Sequence, residues 1–233
     1  MKNIITLHFV FVLNSLFPVF ANEANSSNGK YIDFENQSLT QFDYILHPQG
    51  VSVVEHNRSC DGGKYAAKLT LKGTDDFLWN GNSNLNRTEL KIHPKAAKNS
   101  ITKVSFDFMF PSLFSKAVHE FAYWESDQTY QQIMRFEIAG NHILFKPIGF
   151  EPIWQSRSLI PRVWHHLEMI IKWSEQANMG SVDIAFDGTP VVSDYSMRTL
   201  LVDEHAFIQL GILRRQSVIE ETLFLDNIRV ETE

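Results

Sequence analysis

The sequence predicts an all-β protein, a concanavalin-like β-sandwich or jelly roll of two packed antiparallel sheets. Three observations carry this expectation. Short segments rich in β-branched and aromatic residues recur from Tyr31 onward, each bounded by turn residues. Apolar and polar positions alternate with period two, as in Val104, Phe106, Phe108 and Phe110 against Ser105, Asp107 and Met109. No long segment carries a helical period. Such strands bury one face each, and two sheets packed face to face satisfy all of them.

In chain order, strands are expected at 31–35, 51–55, 65–72, 86–92, 101–110, 118–125, 132–138, 142–147, 165–173, 181–187, 206–213 and 222–231. Asp61-Gly62-Gly63 is a turn signal, while Gly140-Asn141 and Asp187-Gly188 mark hairpins. The register changes near Asp226-Asn227, where a bulge is expected. Residues 194–204 form a short helix or an irregular loop. No repeat and no interior linker is visible, so 31–233 reads as one domain.

The first 21 residues read as a secretory signal peptide: Lys2, an apolar run from Ile4 to Phe20, and small residues before a cut after Ala21. Residues 22–30 read as a flexible leader. The expected location is therefore secreted or periplasmic, with no membrane attachment once the signal is removed, and a monomer is expected. Cys60 is the only cysteine, which rules out an internal disulfide. The formal net charge of −6 argues against nucleic acid as a partner, and any polyanion must be drawn by a local basic cleft.

The segment Asn86-Arg87-Thr88-Glu89-Leu90-Lys91-Ile92 carries the first functional signal. On a strand, Arg87, Glu89 and Lys91 share one face, and Thr88, Leu90 and Ile92 the other. Three charges opposite an apolar face describe a sheet with one wet side. An arginine on a rigid strand can grip a carboxylate with two parallel hydrogen bonds, which suits acidic sugars. A solvated face with an internal ion pair is the ordinary alternative.

Four blocks then resemble, in order, the jelly-roll polysaccharide lyases, particularly the heparin lyase I-like family and more distantly the jelly-roll alginate lyases. They are Tyr31-Ile32-Asp33-Phe34-Glu35 with Gly63–Leu69; Asn86-Arg87-Thr88-Glu89-Leu90, similar to an Arg-x-Glu-Leu strand; Val163-Trp164-His165-His166-Leu167 running on to Val182–Gly188; and Phe207–Arg214 ending in Phe224–Val230. The resemblance implies a secreted enzyme that cleaves an acidic, uronate-containing polysaccharide or oligosaccharide by β-elimination. Two departures stand out. Tyr123 and Glu125 occupy the places of an expected Gln-x-His pair, and Gln209 and Leu213 those of an expected Lys and Tyr.

Such an enzyme must neutralise the uronate carboxylate, abstract the adjacent proton and protonate the leaving oxygen. Arg87 is the expected neutraliser, helped by Gln209. A base could come from Tyr123, Tyr130, His119 or Glu125; the arrangement favoured is Tyr123 as the base, its pKa lowered by a nearby cation, with Glu125 positioning it. Glu89, Lys91, Trp124, Arg135, Glu137, Lys146 and Arg214 complete the expected substrate-binding surface. No metal-ligand set is seen and no cofactor is required; a structural calcium at Asp33, Glu35 or Asp226 is the one allowance. A non-catalytic glycan-binding module and a glycoside hydrolase using two glutamates are the rival readings. Strand parity counts against the hydrolase, since Glu120 and Glu125 fall on opposite faces of a regular strand.

Overall fold

The computed structural model describes residues 29–56, 62–73, 77–79 and 82–233. The expected signal peptide, Cys60 and Asp61 lie outside the described residues. Among the described residues sixteen strands follow one another: β1 (Gly29–Ile32), β2 (Tyr44–Leu46), β3 (Val51–Glu55), β4 (Tyr65–Leu71), β5 (Phe77–Trp79), β6 (Asn82–Ala96), β7 (Ile101–Met109), β8 (Val118–Ser126), β9 (Gln132–Ala139), β10 (His142–Pro147), β11 (Trp154–Gln155), β12 (Trp164–Lys172), β13 (Ser181–Phe186), β14 (Thr189–Ser196), β15 (Ala206–Arg215) and β16 (Glu221–Thr232). All the expected strands are present, most within two residues of their predicted ends. The first begins at Gly29, so Gly29 and Lys30 belong to the domain and not to a leader; Lys30 Nζ holds Asp43 at 2.7 Å.

The strands form two eight-stranded antiparallel sheets. One runs β14-β13-β12-β7-β16-β4-β3, with β1 also on β16; the other runs β11-β10-β9-β8-β15-β6-β2, with β5 on β6. The alternation read from sequence is what closes the sandwich. From one side come Val104, Phe106 and Phe108, and from the other Leu90, Ile92, Ile208, Leu210 and Ile212, all fully buried in one core. Burial of each such side chain is worth about 1.5–3 kcal/mol.

The connections follow the expected turn chemistry. Ala139 pairs with His142 across Gly140-Asn141, and Phe186 with Thr189 across Asp187-Gly188, where both turn residues take positive φ. The register shifts between Asp226 and Arg229, as expected of a bulge. Residues 194–204 contain no helix: β14 runs to Ser196 and an irregular loop follows.

A second bulge had no sequence signal. The β8–β9 register shifts between Glu120 and Ala122, so Phe121 and Ala122 both join the core. The extra residue restores Glu120 to the same outer face as Tyr123 and Glu125. The strand-parity expectation for Glu120 and Glu125 is therefore corrected: both carboxyls face one groove.

Candidate active site

The outer face of the β6–β15–β8–β9–β10 sheet carries a groove of about 1240 Å³. Its organisation is a row across five strands. Lys91 pairs in register with Gln209, Gln209 with Tyr123, Tyr123 with Arg135, and Arg135 with Lys146. Adjacent strands lie about 4.8 Å apart, so a polymer crossing the sheet meets Lys91, Gln209, Arg135 and Lys146 in turn, with Tyr123 buried beneath the row. Five residues singled out in separate stretches of sequence thus converge on one surface.

Arg87 lies beside this row, one charge of a buried pair. Its Nε donates to Glu89 Oε2, and its Nη2 donates to Tyr123 Oη at 2.6 Å and to Gln209 Oε1 at 3.3 Å. Glu89 is fully buried and Arg87 is 5% exposed. Gly211, directly opposite Glu89, makes this packing possible: a Cβ there would stand 2.2 Å from Thr88 O and 2.7 Å from Glu89 Cα. Glu89 therefore supports Arg87 from beneath and does not line the groove, which corrects its expected place as a substrate contact.

Gln209 continues the chain of hydrogen bonds, its Nε2 donating to Glu125 Oε2 at 3.0 Å. Burial pushes the Glu125 carboxyl up; Arg87 draws it back only in part, and it rests at about 7. Tyr123 moves the other way from expectation. Burial, and then the charge of Glu89, raise its phenol well above the ordinary value, and no part of the residue is exposed. Tyr123 is thus a fixed partner of Arg87 and Glu89, and the base role expected of it is corrected. Glu125 is the groove-lining carboxyl whose pKa stands at about 7.

Further along the row, Arg135 is enclosed by the groove's own side chains. Its Nε and Nη2 both reach Glu137 Oε1, at 2.6 and 2.5 Å. Its Nη1 donates to Gln132 Oε1 at 2.8 Å and lies 3.3 Å from Glu120 Oε1, while Gln132 also donates to Glu120. At the opposite end, Lys91 Nζ sits 3.5 Å above the centre of the Phe207 ring, with Tyr130 beside it. Burial lowers the pKa of Lys91.

Three expected contacts fall elsewhere. Trp124 points into the core, fully buried against Phe136, because its position in the alternation is the inward one. His119 is fully buried, with Nε2 2.5 Å from Glu221 Oε2, and is not available as a base. Arg214 is 3% exposed and borders the groove, but its charge is spent on Glu221 and on the carbonyl of Ile219, 2.6 Å away. It is a structural tie and not a free substrate contact.

His93 also lines the groove and was missed. It extends the Arg87, Glu89, Lys91 alternation by one further step, so the signal was present. Burial and then Lys91 lower its pKa. As for a metal, Glu35 Oε1 accepts the Lys64 and Tyr65 N–H groups. Among the described residues no group of three His, Cys, Asp or Glu side chains forms a metal site.

The comparisons agree with this architecture. Solved structures similar to this chain include an endo-β-1,4-glucuronan lyase from the fungus Trichoderma reesei, with 16% identity and a TM-score of 0.66 over 87% of this chain and 94% of that one. The alginate lyase AlgAT5 from Polysaccharide Lyase family 7 is similar at 12% identity and a TM-score of 0.58, over 88% and 94%. A GH131 β-glucanase catalytic domain from Podospora anserina gives 17%, 0.59, and coverage of 84% and 86%. These likenesses establish the jelly-roll fold, which lyases and glucanases share. The search of curated protein sequences gives no match. The family model described as polysaccharide lyase matches residues 28–229, which run from before β1 into β16 and include the groove. The chain belongs to the polysaccharide lyase family and is an enzyme of that class.

Proposed function

We propose that the protein cleaves a uronate-containing polysaccharide by β-elimination in the groove of β6, β15, β8 and β9. The observation that carries this reading is a carboxyl poised near neutrality, Glu125 at about 7, hydrogen-bonded through Gln209 to Arg87. The proton beside a uronate carboxylate is weakly acidic until that carboxylate is neutralised. Arg87 and Lys91 supply the positive charge, and Gln209 supplies an amide. Glu125 in its ionised form takes the proton from carbon, and the carboxylic acid so formed returns it to the departing sugar oxygen. A group with a pKa near the working pH is suited to both steps. Tyr123 and Glu89 hold the Arg87 guanidinium in place.

Glucuronan and alginate, the polymers named for two of the similar structures, both carry the required carboxylate. The likeness to heparin lyase I read from sequence adds a sulfated glycosaminoglycan to the test panel. Export to the periplasm or medium, proposed from residues 1–21 alone, would bring the enzyme to such polymers.

The experiment is ultraviolet absorbance over time with purified protein and a panel of uronate polymers, because elimination leaves an unsaturated sugar end. A rise with one polymer supports the reading and names its substrate. New reducing ends without absorbance would instead indicate hydrolysis by the Glu120 and Glu125 carboxyls that the bulge brings onto one face. A folded protein that retards a polymer and yields neither product would be a binding module.

A further inference from the structure

The two ends of the groove treat charge differently. At the Arg87 end, the guanidinium's own counter-charge is hidden: Glu89 is fully buried beneath it, and the groove is lined by Arg87, Lys91, His93 and Gln209 with the carboxyls of Glu125 and of Asp43, the latter tied to Lys30. At the Arg135 end, the carboxylates are on display. Glu120 and Glu137 pair directly across β8 and β9, and both line the groove with Arg135 between them.

Arginine captures a carboxylate through two parallel N–H groups on one edge. On Arg135, the Nε and Nη2 edge is occupied by Glu137 and Nη1 is shared between Gln132 and Glu120. Arg87 is engaged in the same way, by Glu89, Tyr123 and Gln209, so what sets this end apart is that a carboxylate arriving here meets two acidic side chains lining the groove. Lys146, one strand further out, brings this end to two cations against two carboxyls, with no surplus to hold another anion. Glutamate, glutamine and arginine side chains presented together are instead suited to sugar hydroxyls, which donate to carboxylates and accept from N–H groups. The Arg135 seat lies two strands from Gln209, about 10 Å away. That is within reach of a sugar adjoining the one held at Arg87.

Resting on the lyase reading above, we propose that Glu120, Gln132, Arg135 and Glu137 form a seat for an uncharged sugar, so that the preferred substrate is a polymer in which uronates are separated by neutral sugars, not one charged at every ring. The groove selects one carboxylate and reads hydroxyls beside it.

The test uses one polymer at two charge densities: polyglucuronate, and the same polyglucuronate with half its carboxylates methyl-esterified. Binding is measured by affinity electrophoresis and cleavage by ultraviolet absorbance, on the wild type and on Glu137→Gln, which removes one displayed charge and releases the Arg135 edge. The wild type is expected to bind the half-esterified polymer about tenfold more tightly, and Glu137→Gln to shrink that ratio severalfold by gaining affinity for the fully ionised chain. Equal or tighter binding of the fully ionised polymer by the wild type would overturn the proposal. So would a ratio unchanged in a folded Glu137→Gln protein. The binding preference without any absorbance change would support the seat and overturn the elimination chemistry. Absorbance that rises fastest on the fully ionised polymer, with tighter binding of it, would do the reverse.

Discussion

Replacing Glu125 by glutamine separates stability from catalysis. The carboxyl has an ordinary value of 4.5 and stands at about 7 in the folded protein, chiefly because burial disfavours its charge. That difference corresponds to about 3 kcal/mol, an order-of-magnitude figure for a residue 9% exposed. The sign follows from the two values. Well below 4.5 the group is neutral folded and unfolded, and no penalty exists. Between 4.5 and 7 the unfolded chain ionises while the folded one resists, so stability falls with rising pH. Above 7 the folded carboxylate is ionised too, and the full penalty is in place. Glutamine is neutral throughout, and its amide oxygen can still accept the Gln209 N–H. Glu125→Gln is therefore expected to match wild-type stability in acid and to exceed it by up to about 3 kcal/mol in mild alkali. The same substitution should lower kcat by about 10²–10⁴-fold, and with it the rise of wild-type activity through a midpoint near 7 should vanish. Urea denaturation of both proteins across the pH range, with ultraviolet initial rates on the polymer they cleave, tests both halves. Two denaturation midpoints that keep the same separation from acid to alkali would refute the burial argument. A variant retaining the wild-type rate and profile would refute the role.

Arg87→Ala leaves Glu89 buried without its partner, so a loss of about 3–5 kcal/mol in chemical denaturation is expected, with turnover down by at least about 10²-fold; Arg87→Ala combined with Glu89→Gln should recover much of the stability and none of the activity. Tyr123→Phe removes the hydroxyl that receives Arg87 and should cost about tenfold in kcat/KM with no change in the pH profile, whereas a loss of 10³-fold or more would restore tyrosine as the base. Gly211→Ala should force β15 away from β6, lowering stability by about 1–3 kcal/mol and displacing Arg87 enough to cost up to about 10²-fold in rate; an unchanged Tm and rate would show that the strands yield without consequence.

Much of the sandwich was legible because its strands obey a period of two and its hairpins carry Gly-Asn and Asp-Gly signals. The β6 face was legible for the same reason, and one more step along it would have found His93. The short strands β2, β5 and β11 were not legible, since three residues or fewer leave too little alternation to register, and the eight-residue β14 was foreshadowed only by the Asp187-Gly188 hairpin signal. The site failed to read where packing overrides parity. The bulge at Phe121 reverses the face of Glu120 relative to Glu125, and only cross-strand pairing reveals it. Trp124 looked like a sugar platform by type but takes the inward place between Tyr123 and Glu125. Arg214 looked like a free cation because Glu221, its partner, belongs to the other sheet. Tyr123 lies near a cation as expected, yet its burial outweighs that attraction and reverses the direction of its pKa.

That last tie has a mechanical meaning. Arg214 on β15 and His119 on β8 both hold Glu221 at the start of β16, and burial, which would push that carboxyl up, is overcome by these contacts and by the Ser115 N–H, leaving it at about 2. The two strands that floor the groove are thus riveted to the opposite sheet by a charge that stays ionised through all but strong acid. The floor is preset before any sugar arrives, so the entropy of ordering falls on the polymer and not on the protein. A flexible chain must straighten to fit, and its stiffer relatives start with that advantage.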